Sequence, residues 1–218
     1  MSESPTPTAK SIHHPALRYG AEAVSVVLHP LFIPVYILLF VLWISPLTIA
    51  VDPMIKARIS LSFGLMYILF PLATVLLAKG LGFVDSIRLK SRKDRIIPYV
   101  GCGIYYFWMW YVLHKQGSFP APLAAFALGV FLASSGGLIL NAWLKISMHA
   151  LAAGTGITFL FVLALASPFA WGFYLSVGLL LTGLICTARL LTGDHNQAEV
   201  YSGLFIGSLA MMIAAWVS

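Results

Sequence analysis

"SVGLLLTGLICTARLLTGDHNQAEVYSGLFIGSLAMMIAAWV", residues 176–217, consists of two long apolar runs joined by a short polar hinge. A helix needs roughly 20 mostly apolar residues to cross a bilayer. Backbone groups in lipid must pair within their own segment, so runs of this kind read as helices. A barrel would show short alternating segments instead. The hinge, "ARLLTGDHNQAEV" (188–200), gathers an arginine, an aspartate, a histidine and a glutamate in a chain with only 9% charged residues.

Outward from this pair, the same texture recurs. Apolar runs cover 24–45, 59–79, 97–114, 120–141 and 148–167, ahead of 170–190 and 198–217. Proline and glycine punctuate the joints, as in "VDPMIKAR", "HKQGSFPAP" and "SPFAWG". The expected fold is all-α, a polytopic transmembrane bundle of about six to seven helices with its site at one membrane face. Residues 21–218 form a single domain behind a polar tail, 1–20, in which no cleavable signal peptide is expected. His29-Pro30 and Pro34 break the entry to the first run, which should kink there or begin as an interfacial piece. The aromatic stretch "YYFWMWY" (105–111) reads as packing plus an interfacial belt. Gly203 and Gly207 form a GxxxG that permits close helix packing.

Composition supports this placement. The chain is 60% hydrophobic over 218 residues, against about 45–50% in soluble domains. Its net charge of +6 suits anionic headgroups or phosphate-bearing substrates. Nucleic acid is not an expected partner, because the cations do not line a soluble face. Cys102 and Cys186 lie in apolar runs and read as small buried hydrophobes.

Three polar clusters sit at run ends, "DSIRLKSRKDRIIPY" (85–99), "NAWLKISMHA" (141–150) and the hinge. Two runs separate the first from the second, and two the second from the third. Even crossings return the chain to one side, so all three clusters should share a face. In the hinge, a helix beginning near Asn196 puts His195 and Glu199 one turn apart on one side. The carboxylate would then fix the imidazole tautomer and leave the other nitrogen as nucleophile or base. Arg189 supplies charge for an anion there. Ser147 and His149 open a helix whose free N–H groups attract anions, and His149 suits protonation of a leaving oxygen. Arg88, Lys90, Arg92, Lys93 and Arg95 read as a phosphate cradle or, on their own, as a topology signal. His13, His14, His29 and His114 read as structural.

Together these residues resemble the type 2 phosphatidic acid phosphatase superfamily, whose pattern is Lys-x6-Arg-Pro, Pro-Ser-Gly-His and Ser-Arg-x5-His-x3-Asp. Here Arg88-x6-Arg95, Ile146-Ser147-Met148-His149 and Ala188-Arg189-x5-His195-x3-Glu199 keep every internal spacing across residues 88–199, about half the chain. Arg88 stands for lysine, Glu199 for aspartate, Met148 for glycine and Ala188 for serine, and both prolines are absent. The resemblance implies a membrane hydrolase that removes phosphate from a lipid phosphate or polyprenyl diphosphate through a phosphohistidine. His195 would be the nucleophile, Glu199 its orienter and His149 the acid and base. Arg88, Arg95, Ser147 and Arg189 would hold phosphate, with no metal or other cofactor. Two rivals stand beside it. One is a non-catalytic protein that binds or moves lipid phosphate on the same scaffold. The other is a metal-dependent enzyme using His149, His195, Asp194 and Glu199, although the spacing is neither an HExxH nor an aspartate-rich motif. Basic residues favour the motif face, which the positive-inside rule would place in the cytoplasm, with the chain in the cell (inner) membrane. Asp194 is expected to be a turn residue or helix N-cap.

Overall fold

The computed structural model describes residues 15–87, 89, 91–116 and 120–218. Among them the regular elements are all helical. Six helices are long and apolar enough to cross a membrane, and the protein is an integral membrane helical bundle. The first of the six, Pro53–Gly80, is built from α3 (Pro53–Gly64), a π turn (Leu65–Leu69) and α4 (Phe70–Gly80). The others are α5 (Ile96–Gln116, entered through the tight turn Lys93–Arg95), α6 (Ala121–Leu140), α7 (Met148–Ala166), α8 (Gly172–Leu191) and α9 (Gln197–Val217). The π turn has a local cause. Pro71 lacks an N–H, so the carbonyl four residues back loses its helical partner and the ladder widens there.

The run 24–45 does not form one membrane-length helix. It is divided between α1 (Pro15–Val27) and α2 (Ile33–Trp43). Pro30 and Pro34 are responsible. A residue before proline is pushed out of the helical region, so the chain turns at 28–32, where Phe32 N–H and Ile33 N–H both donate to the His29 carbonyl. At 1.5 Å per residue, α2 is about 16 Å long, short of the ~30 Å hydrocarbon core. It runs beside α7, Ile33 and Ile37 approaching Gly156, and ends where Phe40 meets Trp171 and Tyr174. Of the expected tail, residues 15–20 are the first six of α1, and 1–14 lie outside the described residues, His13 and His14 among them.

Helix starts follow local chemistry. Asp52 caps α3 by accepting from Met54 N–H at 2.7 Å and Ile55 N–H at 3.3 Å, with Pro53 in the first helical position. Asn196 and Glu199 form a reciprocal capping box at α9, with Glu199 N–H to Asn196 Oδ1 at 2.9 Å and Asn196 N–H to Glu199 Oε2 at 3.3 Å.

α9 packs between α6 and α7, with α5 outside α6 and α8 outside α7. In lipid there is no hydrophobic drive between helices, so small residues and polar contacts must hold them. The α7–α9 seam shows both. A Cβ at Gly207 would lie 2.0 Å from the Leu151 carbonyl, one at Gly203 2.7 Å from the Ser147 carbonyl, and one at Gly154 2.2 Å from the Leu204 carbonyl. Thr155 Oγ1 and Ser208 Oγ donate across the seam to the Gly207 and Gly154 carbonyls, both at 3.3 Å. The GxxxG is thus the surface that draws the start of α7 against the start of α9. Elsewhere Phe63, Tyr67 and Tyr106 stack in the core, while Phe107 and Trp108 of the aromatic run face outward.

Candidate active site

The three polar clusters meet at one end of the bundle. Arg95 Nη1 donates to the Ile146 carbonyl at 2.8 Å, and Ser147 N–H to the Glu199 carbonyl at 3.0 Å. Lys145 Nζ donates to the Asp194 carbonyl at 3.2 Å. Each contact joins two of the clusters, so the parity of the hydropathy pattern is realised as direct bonding.

His195 sits just before α9, 5% exposed. Its Nδ1 lies 2.9 Å from Glu199 Oε2. A carboxylate can only accept, so Nδ1 carries the proton and Nε2 keeps its lone pair. Burial, then the charges of Arg95, Arg189 and Lys145, push the His195 pKa down to about 3, with Asp194 working the other way. The adjacent Glu199 carboxylate also favours the cation. Burial and three cations win, and the imidazole is neutral at neutral pH.

Arg189, at the end of α8, is buried. Its Nη1 donates to Ser25 Oγ at 3.0 Å and its Nη2 to Asp194 Oδ2 at 2.8 Å. Its buried Nε–H has no partner among the described residues. Asp194 is therefore not the cap of α9, which is Asn196. Gly193, at φ 72°, turns the chain back so that Asp194 reaches Arg189. Burial raises the Asp194 carboxyl, but the charge and hydrogen bond of Arg189 outweigh it and hold the group below its usual range.

Arg95, 4% exposed, donates from Nε to the Leu89 carbonyl at 2.9 Å. Leu89 has φ 48°, a left-handed conformation that costs a side chain about 1 kcal/mol or more. It is retained where Leu89 packs with Ala78 and Val84, beside Met148. Met148 thus braces this loop against the start of α7. Arg88 lies outside the described residues. Arg92 donates from Nη1 to the Ala142 and Trp143 carbonyls at 3.1 and 3.2 Å, serving the end of α6.

Ser147 departs from the expected phosphate contact. It is fully buried, caps α7 by accepting from Ala150 N–H at 3.4 Å, and is not on the cavity wall. A helix N-cap uses its oxygen on the helix's own amides, which is what Ser147 does. His149 does reach the cavity. Its Nε2 is 2.9 Å from the Ser25 carbonyl, an acceptor, so Nε2 carries the proton.

Three further residues belong here that the sequence pattern missed. Ser25, in the last turn of α1, contacts both Arg189 and His149. Lys145 lines the cavity, with burial and then Arg95 lowering its pKa. His29, expected to be structural, lies on the cavity wall with its ring 5.4 Å from the His149 ring, edge to face. His114, by contrast, stacks on Trp110 in the last turn of α5.

These side chains surround a cavity of about 460 Å³. Its polar end carries Arg18, Arg95, Lys145 and Arg189 against Glu22 and Asp194, an excess of positive charge. The rest of the wall is mostly apolar and descends along α5 from Pro98 to Tyr106 and along α6 from Ala133 to Phe126. Eight residues of helix make this apolar stretch about 12 Å deep. Among the described residues, no three His, Cys, Asp or Glu side chains converge as a metal-ligand set.

No family model, curated protein or solved structure matches this chain.

Proposed function

We propose that the protein is a membrane lipid phosphatase that hydrolyses a phosphomonoester or diphosphate of a lipid or polyprenyl substrate through a phosphohistidine on His195. The observation that carries this reading is the buried, neutral His195, held by Glu199 at 2.9 Å with Nε2 free, beside Arg95 and Arg189. An imidazole with a fixed tautomer is a nucleophile, and buried guanidinium groups without competing solvent hold phosphate oxygens. The cavity fits an amphiphile, with cations at one end and an apolar wall descending into the bundle.

In the first step the Nε2 lone pair of His195 attacks phosphorus and the bond to the leaving oxygen breaks. Arg95 and Arg189, with Arg88 by the family resemblance, bind the non-bridging oxygens. Pre-placed donors of this kind contribute about 3–4 kcal/mol each to transition-state stability. Glu199 stabilises the cationic phosphoimidazole. The leaving oxygen takes a proton from an imidazole of the cavity wall, a role the resemblance assigns to His149. In the second step a water gives its proton to that base and attacks phosphorus, restoring His195. Family membership, the cell (inner) membrane as location, and a site facing the cytoplasm belong to the same proposal, supported by the three spaced motifs and the distribution of basic residues.

The test is phosphate release by detergent-purified protein in a chelator, from phosphatidic acid, phosphatidylglycerol phosphate and a polyprenyl diphosphate. Release by wild type and loss in His195→Ala is expected. Phosphate-lipid binding without release, in folded wild type, would move the assignment to a lipid-phosphate binding or transporting protein.

A further inference from the structure

We infer that His29 is a catalytic acid–base residue on the leaving-group side of this site, carrying the transferable proton beside His149. The inference rests on the phosphatase reading above and assigns a residue to it that the spaced motifs do not contain.

The argument starts from where protons sit. His149 Nε2–H is engaged by the Ser25 carbonyl at 2.9 Å, so while α1 stays docked this proton is held by the protein. His29 is arranged differently. Its Nδ1 accepts from Leu31 N–H at 3.3 Å, which places the proton of the neutral ring on Nε2. The turn at 28–32 that aims this ring is the one Pro30 imposes. His29 and His149 lie edge to face, 5.4 Å between centroids, and both line the cavity that holds His195 and Arg189.

The charge that acts on His29 is Arg189 from α8, and His149 from α7 lies against its ring; Arg18, Glu22, Arg95, Lys145, Asp194 and His195 line the same cavity. Burial, then Arg189, keep His29 below the usual imidazole range, so the ring is neutral at neutral pH. A bound phosphate offsets the Arg189 charge. The monoanion of a phosphomonoester brings one proton; His29 takes it on Nδ1, giving up the 3.3 Å hydrogen bond from Leu31 N–H, and becomes the imidazolium. When His195 attacks, the phosphorus–oxygen electron pair goes to the leaving oxygen and the Nε2 proton of His29 follows it, giving a neutral lipid alcohol and a neutral His29. In hydrolysis of the phosphohistidine the ring, now protonated on Nδ1, accepts the attacking water's proton on Nε2, and the Nδ1 proton returns to the product phosphate as the Leu31 hydrogen bond re-forms. Charge and protons balance over the two steps without another reactant.

Leaving-group dependence tests this. An alkoxide needs a proton to depart, whereas nitrophenolate does not. His29→Asn and His29→Gln should lose about 100-fold or more in kcat on phosphatidic acid, the low end of what a positioned acid supplies. On para-nitrophenyl phosphate their loss should be far smaller. Equal losses on the two esters would mean that His29 only shapes the site, and would overturn the inference. Wild-type rates on phosphatidic acid would overturn it too. A wild-type protein that hydrolyses neither ester would instead overturn the phosphatase reading, and with it this assignment.

Discussion

Gly207→Ala should cost both stability and activity, and the structure gives the size. A Cβ at this position meets the Leu151 carbonyl oxygen at 2.0 Å and the Thr155 nitrogen at 2.9 Å. Cβ contacts below 3.0 Å essentially do not occur, so α7 and α9 must separate by at least 3.0 − 2.0 = 1.0 Å. Both obstructing atoms are backbone, and neither can rotate away. Overpacking of this kind costs about 1–3 kcal/mol, or roughly 2–12 °C in Tm for a chain of this size. The same seam fixes the start of α7, which carries His149, relative to the start of α9, which His195 precedes. A shift of about 1 Å in such a pair costs on the order of 10²-fold in rate. The control is Gly183→Ala in α8, where an added Cβ meets nothing within 4 Å and helix propensity improves by up to about 1 kcal/mol. Thermal unfolding in detergent and phosphate release, measured on both variants, decide the matter. A Gly207→Ala protein with the Tm and kcat of Gly183→Ala would refute the idea that this seam aligns the site.

Three further outcomes are expected. Glu199→Gln should lower kcat by about 10²–10⁴-fold with little change in KM, because it removes the charge that supports the His195 cation; an unchanged kcat would contradict the pairing. Ser25→Ala frees Arg189 Nη1 for an anion while Asp194 still holds Nη2, so KM should fall by roughly two- to tenfold, the worth of one net hydrogen bond; a raised KM would show that Ser25 is needed to orient Arg189. Because the folded pKa of His195 lies near 3, below its usual 6.5, the unfolded chain binds more protons between these values and stability falls as pH drops through that window. At pH 5 the loss is up to about 2 kcal/mol relative to neutral pH, and His195→Asn should flatten this part of the pH–Tm curve.

The sequence disclosed the helices because lipid leaves the backbone no alternative within an apolar run. It disclosed the His195–Glu199 pair because an i, i+4 spacing at a helix start has one geometry, and the joining of the three clusters because crossings come in even numbers. Hydropathy could not divide 24–45, since both pieces are apolar and only the prolines mark the turn. His29 and Ser25 were not legible because their partners, His149 and Arg189, are more than a hundred residues away and meet them only through the packing of α1 and α2. Ser147 shows the reverse failure. A serine before a helix serves equally as cap or as phosphate ligand by sequence, and its full burial decides for the cap. The left-handed Leu89 left no sequence signal, because leucine carries no preference for that conformation.

The most direct measurement is rapid acid-free quenching of the purified protein with a lipid phosphate labelled on phosphorus, in a chelator, followed by mapping of protein-bound label. The account predicts acid-labile label on His195 in wild type, and neither bound label nor released phosphate in His195→Asn. Turnover that persists in His195→Asn, or label carried by another residue, would contradict it.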